Sequence, residues 1–139
     1  MKNNKVLLIA FFTLFISLTA CNNGVDGRAV TANDVISAFV DAGLEAESPR
    51  EMTKDDYGAA PYVCEGTRFL LPSLGADKGG RIFICEAQAD LESLATYYNE
   101  LGKSSALFFS WVFTKGQVLV QINGELDESI AKKYEQAIR

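Results

Sequence analysis

Leu107-Phe-Phe-Ser-Trp-Val-Phe-Thr114, then Lys115-Gly116, then Gln117-Val-Leu-Val-Gln-Ile-Asn123 is the stretch that decides the fold. Two runs rich in aromatic and β-branched residues flank a Lys-Gly pair, the pattern of a two-residue β-hairpin. With Lys115 and Gly116 as the turn, Thr114 faces Gln117. That register puts Phe113 opposite Val118, Trp111 opposite Val120 and Phe109 opposite Ile122. Side chains alternate along a strand, so all six fall on one face and should be buried. The other face carries Phe108, Ser110, Val112, Leu119 and Gln121, a mixed set. A sheet with one strongly buried face matches this.

Working outward, Asp127 caps a predicted helix with Ile130, Tyr134 and Ile138 along one side. Upstream, Asp90 caps another, with Leu91, Leu94, Ala95, Tyr98 and Leu101 on one side and Gly102 as its stop. Val63–Leu71 and Arg81–Glu86 read as strands around a turn-rich connection, Pro72–Gly80. Thr31 and Asp34 form a capping box for a first helix over Ala32–Ala42, stopped by Gly43. Glu45–Pro61 is polar and acidic and reads as a long loop, with room for a short strand or helical turn. The order α-β-β-α-β-β-α predicts an α+β domain over residues 31–139. Its antiparallel sheet has about four strands, with helices packed on one face.

The N-terminus says where the protein is sent. Lys2 and Lys5 precede an uncharged run, Val6–Ala20, and Leu18-Thr-Ala-Cys21 ends it. A positive segment, an apolar segment and a small residue at the cut site make a secretory signal over residues 1–20. The run is shorter than the ~20 residues a spanning helix needs. Its last four residues resemble a bacterial lipobox, which implies a diacylglyceryl group on Cys21. Two acyl chains hold a protein on a membrane almost permanently. Residues 21–30 then serve as a tether reaching about 30 Å, at roughly 3.3 Å per residue. The expected location is the outer face of the cytoplasmic membrane.

Composition excludes several classes. Once the signal is removed, 11 basic residues face 18 acidic ones, a balance of −7. Nucleic acid is therefore an improbable partner, since it demands a basic surface. There is no histidine, which removes the commonest general base and transition-metal ligand. No metal site or cofactor is expected. Gly75 with Asp77-Lys-Gly-Gly80 lacks the Gly-Lys-Ser/Thr end of a phosphate loop and leads into a strand. Glu45, Glu47, Glu51, Asp55 and Asp56 lack the spacing of a calcium loop. Ser73 and Ser104 sit in no nucleophile elbow, which leaves a Ser/Lys pair such as Ser104 with Lys103 or Lys78 as the thin enzymatic alternative.

Two cysteines remain besides Cys21. Cys64 and Cys85 lie on the outer parts of two strands that would pair with Phe69 near Ile82 or Phe83. They bridge only in the right register; otherwise they are two buried thiols. Phe108, opposite the apolar face, and Asp55, Asp56 and Tyr57 in the acidic loop are the candidate partner contacts.

Glu51-Met-Thr-Lys-Asp-Asp-Tyr57, Gly66-Thr-Arg-Phe69, Pro72-Ser-Leu-Gly75, Asp77-Lys-Gly-Gly-Arg-Ile82, Leu101-Gly-Lys-Ser-Ser-Ala106, Phe108-Phe-Ser-Trp111 and Val118–Gly124 together resemble a group of small lipoproteins of spore-forming Gram-positive bacteria. Some members carry a loose "stress protein" label. The resemblance implies a Gram-positive surface lipoprotein and brings no catalytic residues with it. The expected function is a lipid-anchored, non-enzymatic binding module that engages an envelope protein or ligand; a histidine-free envelope hydrolase using Ser/Lys or Asp/Glu groups is the rival.

Overall fold

The computed structural model describes residues 29–139. The expected signal over 1–20, the expected lipidation at Cys21 and the expected tether as far as residue 28 lie outside the described residues. Val30, given above to the tether, already packs against the core.

The fold is α+β, built on a five-stranded antiparallel sheet. In chain order the elements are α1 (Ala32–Asp41), β1 (Glu47–Glu51), α2 (Lys54–Tyr57), β2 (Glu65–Leu70), β3 (Gly79–Ile84), α3 (Gln88–Ser104), β4 (Ser110–Lys115), β5 (Val118–Asn123) and α4 (Glu128–Ala137). The strands lie side by side as β1-β2-β3-β5-β4. The sheet has five strands where about four were expected; the fifth, β1, lies in Glu45–Pro61, read as a loop with room for a short strand or helical turn. Its sequence, Glu-Ser-Pro-Arg-Glu, is exposed throughout and has no apolar alternation. Such a polar, proline-containing strand belongs at a sheet edge, where one side needs no partner. The pairing slips between Glu47 and Arg50, beside Ser48 with its positive φ of 48°.

Helices cover both faces, not one. On one face α1 and α4 enclose Phe69, Ile82, Val120 and Ile122. The rings of Phe39 and Tyr134 meet edge to face there at 4.9 Å, and the Tyr134 hydroxyl donates to the Glu45 carbonyl at 2.7 Å. On the other face α3 lays Leu91, Leu94 and Tyr98 over Phe83 and Leu119. The physical reason is connectivity. β3 and β4 run the same way with β5 between them, so the link between them must cross a face, and α3 is that crossover. β5 is consequently buried from Val118 to Ile122 on both sides.

The hairpin turn is Gly116-Gln117, one residue later than predicted. Lys115 faces Val118 and Trp111 faces Ile122. Gly116 has φ +57°, which suits glycine at the first central position of a hairpin turn. The pairing moves by two positions, so the faces keep their parity: Trp111 and Phe113 still share a side with Val120 and Ile122. They are only half-buried, being on the edge strand. Phe109 leaves the strand altogether. Helix α3 also continues through Gly102, the predicted stop. Phe109 packs over that position, its Cα about as near as a side chain at 102 would allow, 3.4 Å from where a Cβ would stand.

Candidate functional site

Three surfaces stand out, and the first two carry residues singled out by sequence. The first is the short turn between α3 and β4. Ser105 ends α3 in extended conformation, and its hydroxyl accepts the Leu107 amide at 3.2 Å. One tight turn over Ala106–Phe108 follows. Leu107 is 90 % exposed, Phe108 55 % and Phe109 43 %. Phe109 is fixed from below by the edge of Trp111, with ring centroids 5.0 Å apart, and the Trp111 indole donates to the Leu126 carbonyl at 2.9 Å. Gly124 must lack a side chain here, since a Cβ would lie 2.3 Å from the Phe109 carbonyl oxygen. The result is a held turn that points three consecutive apolar side chains into water.

The second surface is α2. Thr53 and Asp56 form a capping box, with the Thr53 amide donating to Asp56 at 2.7 Å. Arg50 donates twice to the same carboxylate, at 2.9 and 2.8 Å. These bonds, the guanidinium's first, hold the Asp56 carboxyl well below the usual carboxylate range. Asp55 stays exposed. Tyr57, named above as a partner contact, is instead 5 % exposed and part of the second core. Its hydroxyl donates to the Cys64 carbonyl at 2.5 Å, and burial pushes its phenol up to about 12. The neighbouring Cys64 and Cys85 are joined by a disulfide, with Cα atoms 4.7 Å apart. The β2–β3 pairing explains the fit. Glu65 faces Ile84, so the next rung out sets Cys64 opposite Cys85. Phe69 faces Gly80 in this pairing, two or three positions from the expected partner.

The third surface was not foreseen. Arg50 faces Arg68, Arg68 faces Arg81, and Arg81 faces Gln121. Directly opposed side chains share a face, so three guanidinium groups and one amide form a row across four adjacent strands. The row lies on the α3 side, beyond the apolar rung of Phe83 and Leu119 that α3 covers. Asp56 saturates Arg50 and stands 3.9 Å from Arg68. Arg81 donates to the Gln121 side-chain oxygen at 3.0 Å and has no carboxylate partner among the described residues. Beyond the row, Gly79 contributes no side chain, and a cleft of about 180 Å³ opens, lined by Arg68, Arg81, Gln121, Lys78, Asp77 and Asn123. The sequence signal was present as arginines at fixed parity in two predicted strands. It became legible only with the register: a slip of one residue would send Arg68 and Arg81 to opposite faces.

The serines and lysines of the Ser/Lys alternative each bond to other groups. The Ser104 hydroxyl donates to the Leu101 carbonyl at 2.7 Å, and Lys103 pairs with Glu100. Ser73 donates to Glu45 at 2.6 Å, and Lys78 is held by Glu125. Among the described residues no cluster of three metal-ligating side chains occurs, and no helix is long and apolar enough to cross a membrane. Compared with family models, with curated proteins and with solved structures, the chain matches none.

Proposed function

We propose that this chain is a lipid-anchored, extracytoplasmic binding module that presents Leu107, Phe108 and Phe109 to a protein partner at the cell envelope. The observation that carries the reading is the exposure of these three consecutive side chains on a turn held at both ends. Scattered apolar residues on a surface are ordinary, whereas a contiguous apolar group on a rigid support suits a docking point. The lipobox sequence ending at Cys21 supports the anchored location, and the resemblance to small Gram-positive lipoproteins agrees with it.

Site-specific photo-crosslinking in intact cells tests the docking point. A crosslinker at position 108 should give a discrete adduct, and one at the exposed Glu92 of α3 should not. Leu107→Asp should abolish the adduct without lowering the melting temperature. Matching adducts from positions 108 and 92 would sink the reading. For the anchor, Cys21→Ser should end lipid labelling and release the protein or leave it unprocessed; labelling that persists would refute it.

A further inference from the structure

We propose that the cleft at the arginine row is a binding site for a phosphate group, independent of the Leu107–Phe109 docking point. Three arginines facing one another across neighbouring strands are an arrangement that sheets avoid, because directly opposed like charges repel. Asp56 relieves this at Arg50 and reaches Arg68 only at 3.9 Å. Arg81 has a neutral partner, Gln121. The row is thus left short of negative charge at the end that borders the cleft, in a protein whose overall charge is −5.

The walls supply the donors a phosphate needs. Arg68 and Arg81 stand on adjacent strands, which places their backbones about 4.8 Å apart. The Gln121 side chain is buried, with its oxygen turned to Arg81, and its amide nitrogen has no acceptor among the described residues. Gly79 and Gly80 line the cleft without side chains. Lys78 lines the same cleft but is held by Glu125, which leaves Arg68 and Arg81 as the principal donors, and Asp77 adds one opposing carboxylate to the lining.

This donor set discriminates between anions. A carboxylate offers two oxygens along one edge, which a single guanidinium fork satisfies. A tetrahedral phosphate offers oxygens in several directions and can engage both forks and the Gln121 amide together. The volume of about 180 Å³ suits a phosphate with a small substituent. The phosphate can thus be the free ion or an ester.

The test is a titration of the full chain in detergent with inorganic phosphate at constant ionic strength. The side-chain ¹H–¹⁵N signals of the arginines and of Gln121 are followed. Saturable shifts are expected at Arg68, Arg81 and Gln121, with Arg50 moving least. Arg81→Gln should weaken binding at least about 10-fold, the equivalent of one charge-assisted hydrogen bond. Arg68→Gln, on a side chain about one-third exposed, should do the same and covers the case in which Arg81→Gln fails to fold. Repeating the titration with glycerol 3-phosphate separates the sources: tighter binding than inorganic phosphate assigns the site to an ester, weaker binding to the free ion. Shifts that rise without saturation, an equal response to acetate, or unaltered binding in the folded arginine variants would overturn the proposal.

Discussion

Reducing the Cys64–Cys85 bridge should lower stability by about 3 kcal/mol, almost all of it through the unfolded chain. The bridge joins positions 21 apart in sequence. Closing a loop of that size removes roughly 11 cal/mol/K from the unfolded ensemble, or about 3 kcal/mol at 25 °C. The native state should change little. Cys64 and Cys85 occupy the rung next to Glu65–Ile84, so β2 and β3 hold the two residues together without the bridge. Tyr57 also grips the Cys64 carbonyl. For a domain of this size, 3 kcal/mol corresponds to a drop in melting temperature on the order of 10 °C or more. Both cysteines are buried, so the bridge is reduced in the unfolded protein and the chain then refolded. Intact mass after alkylation counts the thiols. Urea unfolding of the two forms gives the difference, and the reduced form should show the larger m-value because its unfolded chain is less constrained. Equal midpoints and slopes for the two forms would refute the reasoning. A Cys64→Ala, Cys85→Ala pair that loses far more than the reduced wild type would point to packing as the source.

Three further outcomes are expected. Tyr134→Phe removes the hydroxyl that satisfies the Glu45 carbonyl at 2.7 Å and should cost about 1–2 kcal/mol, read from the shift in urea midpoint at unchanged m-value, with no loss of ring packing. Asp56→Asn should lower the melting temperature at pH 7 and flatten its acid dependence. The folded-state carboxyl sits below its unfolded value, so its contribution is present above about pH 4 and is lost as pH falls further; an unchanged pH profile would contradict this. Trp111→Ala should cost about 2–3 kcal/mol, less than the ~3–5 typical of a fully buried aromatic, because Trp111 is half-buried on the edge strand. Calorimetry of the variant checks it.

What the sequence determined by itself is local. The capping residues Thr31 and Asp127 start α1 and α4 as read, because a cap bond links residues two or three apart. The parity of Trp111, Phe113, Val120 and Ile122 survived a misplaced turn, since alternation is a property of the strand and a shift of two positions preserves it. Strand β1 is legible only as room for a short strand within Glu45–Pro61: an edge strand in water needs no apolar pattern, so nothing in Glu-Ser-Pro-Arg-Glu fixes its pairing. The tertiary structure alone decided everything that joins distant segments. The order β1-β2-β3-β5-β4 sends α3 across the second face, buries Tyr57 and both cysteines beneath it, and closes the bridge. The same ordering aligns Arg50, Arg68, Arg81 and Gln121, drawn from four strands spread over 72 positions of sequence. Each of those strands tolerates its residue alone. Their meeting depends on a register that is set by backbone hydrogen bonds and core packing, which carry no trace in the identity of the residues they bring together.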